Sequence, residues 1–408
     1  MFAGLGPDYR KLWAASAVSN LGDGVTLIAG PLLAATLTRD PVLVAGLAFA
    51  QRLPCLLFPL ISGALVDRFD RRLTMGVVNL FRAALIGILG LALLGDLAGL
   101  TLMYAIFFLL GTAETLFDNA AQAILPVVVP RERLERANSR LFAAELVSNQ
   151  FAGPPLGGFL FAAAVSVPFL LDAGTFAAAA ALVLAMRGRF RPEKPEGAPR
   201  TTLRAEIGEG LRWLWGHRLL RVLAMMLGVS NAMYAATDAI WVLFVQDVLG
   251  LGSVGFGILV ASGSAGGLIG SLTADRIIAR LGPGWALHAS ILLTAAVFVV
   301  VALAENAFLV GAVFLLVGVN VVVWNVITVS FRQAVVPEQL FGRVNSVYRL
   351  IGWGGISIAA LLGGFLAHDF GLTAPFWVAA AVVAVMSLAT LPIVNNRTVA
   401  EARVASGP

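Results

Sequence analysis

The 408-residue sequence predicts an all-α integral membrane protein of 12 transmembrane helices in two six-helix, pseudo-symmetric bundles. Three observations predict it. Hydrophobic residues make up 59% of the chain and charged ones 12%, against roughly 45–50% apolar in soluble domains. Apolar runs close to the ~20 residues needed to cross a hydrocarbon core follow one another nearly end to end. The cations between them fall almost entirely on alternate connections, the asymmetry that marks the cytoplasmic side.

The elements follow in order. Met1–Leu12 is short and mixed, and the first run, 13–37, lacks a small-residue cleavage site bounded by polar sequence, so it reads as a retained span. Runs at 41–66, 73–95, 100–125, 139–165 and 168–187 complete a first bundle, 1–187. The long hydrophilic stretch Arg187–Arg221 holds Pro192, Pro195, Pro199 and nine cations. Its core, 188–218, reads as a cytoplasmic linker, and Leu203–Trp215 has the pattern of an amphipathic helix on the membrane surface. Runs at 219–245, 254–274, 285–304, 308–331, 344–367 and 374–394 form the second bundle, 219–408. With both termini inside, the outer connections carry one cation, Arg39, and Arg52, Arg82 and Arg349 fall within runs.

The halves resemble each other. Pro130, Arg136, Asn138 and Ser139 recur 207 residues later as Pro337, Arg343, Asn345 and Ser346, and Asp67-Arg68 recurs 208 later as Asp275-Arg276. Such self-similarity marks a tandem duplication of the kind that builds transporters.

Other functions are poorly served. The +5 charge is scattered in short arginine clusters with no single basic stripe, which excludes a nucleic-acid partner. One cysteine, Cys55, gives no disulfide or thiolate metal site. His217, His288 and His368 are isolated, so no metal site is expected, and none serves Gly263-Ser264 as a hydrolase base. The expectation is no enzyme and no cofactor. A non-transporting receptor would leave the duplication unexplained.

At this point motifs identify a family. Gly63-Ala-Leu-Val-Asp67-Arg68-Phe-Asp70-Arg71-Arg72 resembles the loop signature of the major facilitator superfamily, and Gly270-Ser-Leu-Thr-Ala-Asp275-Arg276-Ile-Ile-Ala-Arg280 resembles its second copy. Ala113-Glu114-Thr-Leu-Phe-Asp118 and Glu135-Arg-Ala-Asn138-Ser resemble bacterial drug-efflux, macrolide-efflux and siderophore-export members. Gly153, Pro154, Gly157 and Gly158 are similar to an antiporter signature, with Asn149 where its first glycine would stand. Phe107 occupies the position where many proton-coupled members carry an arginine. The resemblance implies a monomeric multi-pass protein of a bacterial inner membrane, embedded in the lipid bilayer. It implies export of a small amphipathic molecule by alternating access with protons as coupling ion; siderophore or metabolite export and lysolipid flipping are the alternatives.

The residues add mechanics. Asp67 and Asp275 can accept backbone N–H groups at the exposed starts of spans eleven (Arg343–Ser346) and five (Arg136–Ser139), sealing the inner side. The competing reading makes Arg68, Arg71 and Arg72 topology signals and headgroup contacts. Mid-span ionisable groups need partners or water, and this chain has Asp23, Arg52, Arg82, Glu114, Asp118, Glu145, Asp238 and Arg349. Ser16, Asn20 and Asp23, and Glu114, Asp118 and Gln122, form stripes at helical spacing. Asn231, Tyr234, Asp238 and Trp241 form a third, and all three are expected to face a central cavity between the halves. Glu114 and Asp118, one turn apart, repel and titrate as a unit, unless Arg52 or Arg82 neutralises them. Asp23 has no cation in its own span and is the first candidate for coupling or for holding a cationic substrate. Glu145 either faces Asn149 or pairs with Arg140, and Asp172 reads as interfacial. Phe117, Tyr234, Trp241, Trp324 and Tyr348 can stack on a flat substrate.

Overall fold

Polar side chains cap the starts of several helices. In the computed structural model, which describes residues 5–58, 62, 65–66, 68–188, 190–191 and 203–405, Asp40, Asp70, His217 and Asn306 each accept a backbone N–H of the helix that follows. Such caps satisfy amides that have no carbonyl partner inside the helix.

Among the described residues every regular element is helical. The first half contains α1 (Gly6–Leu37), α2 (Pro41–Leu57), α3 (Arg71–Leu94), α4 (Leu100–Val128), α5 (Leu134–Glu145), a π-helical segment (Leu146–Ala152), α6 (Gly153–Ala163) and α7 (Val167–Leu184). Then come α8 (Leu203–Gly216), α9 (Arg218–Asp238), α10 (Trp241–Asp247), α11 (Ser253–Leu281), α12 (Pro283–Leu303), α13 (Ala307–Val335), α14 (Phe341–Trp353), α15 (Ile356–Phe370), α16 (Ala374–Thr390) and α17 (Asn396–Ala405). Nine helical stretches among the described residues are long and apolar enough to cross a membrane, α14 and α15 together counting as one, and α2 and α16 are shorter apolar helices.

Three runs expected as continuous spans are broken. Run 139–165 changes winding in its middle, run 219–245 turns between α9 and α10, and run 344–367 breaks at Gly354-Gly355. The first break has a direct cause: Pro154 and Pro155 lack amide hydrogens, so the carbonyls four residues earlier lose their partners, and a wider π turn absorbs the mismatch. Conversely, α11 runs on to Leu281, so Asp275, Arg276 and Arg280 lie on an exposed helical turn and not in a loop.

Contacts group the chain into two units: Met1–Pro195 with Val245–Ala261, and Glu196–Phe244 with Ser262–Pro408. In the first, α3 and α1 pack on α7, α2 on α4, and α6 on α1. Its apolar core includes Tyr9, Met75, Ile124 and Val183. The added segment 245–261 joins it through Arg39, which donates to Gln246 Oε1 at 2.6 Å and meets Asp247 at 3.3 Å. In the second unit α12 packs on α16 and α13, and α9 on α15. There α8 lies against α14, with Arg343 ion-paired to Glu209.

Candidate functional site

The first unit encloses a cavity of about 470 Å³ whose polar wall is built by two helical stripes. Ser16, Asn20 and Asp23 come from α1, Glu114, Asp118 and Gln122 from α4. Side chains three, four or seven residues apart share a helix face, so the spacing in sequence is what brings each set to one wall. The α5 and π segments add Asn138, Glu145 and Asn149; α3 adds Met75 and Arg82. Among the lining residues four are carboxylates and one, Arg82, is a cation.

Asp23 is paired. Arg82 Nη2 donates to Asp23 Oδ1 at 2.6 Å, and the guanidinium is only 5% exposed against 27% for the carboxylate. The guanidinium carbon lies 4.0 Å from the Phe176 ring centroid and 5.8 Å from that of Phe117, a desolvated cation–π arrangement. The cation that Asp23 lacks in its own span thus comes from α3: Arg82 hydrogen-bonds Asp23 directly and shares the cavity wall with Glu114 and Asp118. Asn20 donates to Ser16 O at 2.8 Å and Ser16 Oγ at 3.1 Å, which satisfies the stripe next to it. Glu145 and Asp118 are exposed and Arg52 is half-buried on α2.

Behind the cavity lies a second carboxylate that sequence reasoning misplaced. Asp172 is not interfacial: it is 1% exposed, accepts Thr26 Oγ1 at 2.5 Å and Thr175 Oγ1 at 3.1 Å. The signal available was Thr175 three residues on, a local partner that lets an aspartate enter a helix interface.

The glycines of the antiporter-like motif serve close packing. A Cβ at Gly153 would lie 2.6 Å from the Cα of Gly24, and one at Gly24 would lie 2.3 Å from the Asn149 carbonyl oxygen. Gly157 rests against Val25 in the same way, while Gly158 meets Ser253 and the Pro154 carbonyl meets Gly257.

The loop signature is tied to the end of α7. Asp70 Oδ1 caps α3 at Leu73 N (3.1 Å) while Oδ2 accepts Phe190 N at 3.2 Å. Arg72 Nη1 donates to Met186 O at 2.7 Å, and the Arg71 amide to Phe190 O at 3.3 Å. Lys11 Nζ reaches Ala185 O at 2.7 Å, and Asp8 accepts the Arg187 amide at 3.1 Å. Arg72 therefore holds a backbone carbonyl, a role beyond the headgroup contact expected from its charge. Arg68, Arg136 and Asn138 are exposed, Asn138 bonding Leu134 O at 3.0 Å. Gly63 and Asp67 lie outside the described residues.

In the second unit the expected third stripe divides. Asn231 Nδ2 donates to Gly352 O at 2.8 Å, Tyr234 tilts against Phe298 at 5.1 Å, and Asp238 is exposed. Trp241 is 4% exposed and packs on Phe244, Phe314 and Phe376 at 5.4, 4.7 and 6.0 Å. It belongs to an apolar core because the chain turns between Asp238 and Trp241, and the helical spacing does not continue across that turn. Tyr348, 1% exposed, lies under Arg332 at 4.0 Å, and Trp324 is also buried. Asn345 is half-buried on α14, and Gly270 seats α11 against Val319 of α13.

Comparison with known proteins agrees with this architecture. The chain is 27% identical over 390 residues to the multidrug efflux pump Tap of Mycolicibacterium fortuitum, covering 91% of each. It is 25% identical over 391 residues to Tap of Mycobacterium tuberculosis strain H37Rv, covering 91% of this chain and 89% of that one. Among solved structures it resembles a bacterial homologue of the iron transporter ferroportin in an inward-facing state, at TM-score 0.72 and 17% identity over 94% of this chain and 98% of that one. It resembles the nucleoside transporter NupG at TM-score 0.70 and 12% identity, covering 95% and 99%. The transmembrane secretion effector family matches residues 3–406, and with that match, the duplicated loop signature and the all-helical fold, the chain belongs to this family of major facilitator transporters.

Proposed function

We propose that the chain exports a small amphipathic, drug-like organic compound across a bacterial inner membrane by alternating access, in exchange for protons. In this reading both termini and the linker 188–218 are cytoplasmic, and 1–187 and 219–408 are the two bundles. The observation that carries it is the cavity among the apolar helices of the first unit, whose lining combines Phe117, Leu125 and Leu141 with Asn20, Gln122 and Asn149 and ends on the Asp23–Arg82 pair. An apolar wall with a few placed polar groups suits an amphipathic guest. A carboxylate between a guanidinium and a watered space can exchange a proton when its partner moves. Full-length similarity to multidrug efflux pumps supports the drug-like class. No Gly-x-x-x-x-Gly-Lys-[Ser/Thr] motif is present in the sequence, so uphill movement draws on an ion gradient.

The test is ethidium accumulation in inverted membrane vesicles with an imposed pH gradient. The wild-type chain accumulates the dye, a protonophore abolishes accumulation, and Asp23→Asn does not concentrate it. Accumulation that survives the protonophore would replace protons by another driving ion.

A further inference from the structure

Arg82 is one buried cation set between two carboxylates. It binds Asp23 of α1 through Nη2, and its ring contact, Phe176, stands one turn after Asp172 on α7. Its Nε is buried with no hydrogen-bond partner, a donor left over for a second acceptor. Asp172 is held against α1: a Cβ on Gly22 would fall 2.1 Å from its Oδ1, and Thr26 and Thr175 bond its two oxygens. The helices packed on α7 are α1, α3 and α6. Their ionisable residues are Asp8, Tyr9, Arg10, Lys11 and Asp23 on α1 and Arg71, Arg72 and Arg82 on α3, with none on α6. Asp8 to Lys11, Arg71 and Arg72 sit about three turns or more away, at the starts of their helices. On these helices Arg82 and Asp23 are the charges nearest the level of Asp172, and Glu114 and Asp118 of α4 face Asp23 and Arg82 across the cavity, adding acids and no cation.

Two carboxylates and one guanidinium leave this trio one negative charge in excess. An uncompensated charge out of water is far more costly than a bound proton. We propose that Asp172 holds that proton, and that Arg82 exchanges partners so that the buried Asp172 and the cavity-facing Asp23 alternate as its carrier. This rests on the proton-exchange reading above and adds a second, internal carrier to it. In the arrangement seen, Arg82 pairs with Asp23 and the proton is on Asp172, while Thr26 and Thr175 hold the carboxyl group in place. In the alternate arrangement the guanidinium pairs with Asp172. One O–H bond breaks at Asp172 and one forms at Asp23, so charge and proton number are conserved until Asp23 releases its proton to the cavity.

Infrared difference spectroscopy of the purified chain at neutral pH tests this without a substrate. The wild type shows the carbonyl stretch of a protonated, hydrogen-bonded carboxyl group; Asp172→Asn removes that band, and Asp23→Asn, which frees Arg82 to pair with an ionised Asp172, removes it as well. Thr26→Val, which deletes one hydroxyl and leaves the acid, shifts the band to the position of a weaker hydrogen bond, so the idea stays testable should Asp172→Asn misfold. In vesicles Asp172→Asn loses pH-driven ethidium accumulation. A wild type without the band, or a band indifferent to both Asp172→Asn and Thr26→Val, overturns the assignment. Protonophore-resistant transport by the wild type with the band present would instead overturn the coupling reading and leave the protonated Asp172 standing.

Discussion

Arg82 and Asp23 meet at 2.6 Å although 59 residues separate them in the chain. The bond joins α3 to α1 at the end of the cavity wall farthest from the start of α1, where the guanidinium is desolvated and the carboxylate keeps contact with the open space. Removing either partner leaves the other uncompensated. Arg82→Ala should cost roughly 3 kcal/mol of stability, as expected for one half of a buried pair. Asp23→Asn should cost less, because its amide oxygen still accepts a hydrogen bond. In a double-mutant cycle of thermal unfolding, Asp23→Asn with Arg82→Gln should show favourable coupling between the two wild-type residues. Additive losses would mean that the pair contributes nothing to stability.

The packing of α1 on the π-helical segment predicts a steep response at one atom. Gly24→Ala places a methyl group 2.3 Å from the Asn149 carbonyl oxygen, and both backbones must part to admit it. Overpacking of this kind costs about 1–3 kcal/mol. Gly174→Ala in α7, where a Cβ has nothing within 4 Å, should be neutral or stabilising by up to ~1 kcal/mol. Melting temperatures of the purified variants decide it, and equal effects of the two substitutions would contradict the backbone contact.

Asp70 has two bonds to lose. Asp70→Ala removes the cap at Leu73 and the acceptor for Phe190 N. Loss of the cap alone costs about 1 kcal/mol, and Asp70→Asn should keep most of it. Hydrogen exchange should accelerate at Leu73 and Phe190 in the alanine variant; protection unchanged at Phe190 would sever the proposed tie between the loop and the end of α7.

A histidine gives the linker side a pH response. His217 Nδ1 accepts Leu220 N at 3.3 Å as the cap of α9, and burial pushes its pKa below the ordinary 6.5. Protonation would place a hydrogen on the accepting nitrogen. The folded pKa is the depressed one, so the cap's stabilisation is complete above 6.5 and declines as pH falls below it. His217→Asn, which can cap without titrating, should flatten that decline in melting temperature between pH 7.5 and about 5.5.

Much of this was legible in the amino-acid order, and the rest was hidden for physical reasons. The stripes Ser16-Asn20-Asp23 and Glu114-Asp118-Gln122 were readable because each lies on one uninterrupted helix, where period alone fixes the face. Arg82 and Asp23 were each visible as costly in-span charges, but their pairing depends on how α3 and α1 are rotated, which spacing within a span does not report. Spacing puts Trp241 on the face of Asn231 and Tyr234 only if one helix continues past Asp238, and the chain turns there instead. The Gly354-Gly355 break had a sequence signal, two adjacent glycines, which the surrounding apolar run outweighed. Asp172 sits near a span end in sequence, and its burial rests on Thr175 close by and on Thr26, 146 residues away, a partner that spacing within a span does not report.

The π turn at Leu146–Ala152 has one more consequence. Such a turn amounts to one residue too many for an α-helix, and one residue is worth about 100° of rotation. The side chains of α5 therefore face where they do relative to α6 only because of that surplus. Deleting one residue from the turn would leave the composition of the wall nearly intact while swinging Leu141 and Glu145 away from the cavity, with Gly153 and Gly157 still seated on α1. Part of the chemistry facing the guest is thus encoded as a count of residues, indifferent to which residues they are.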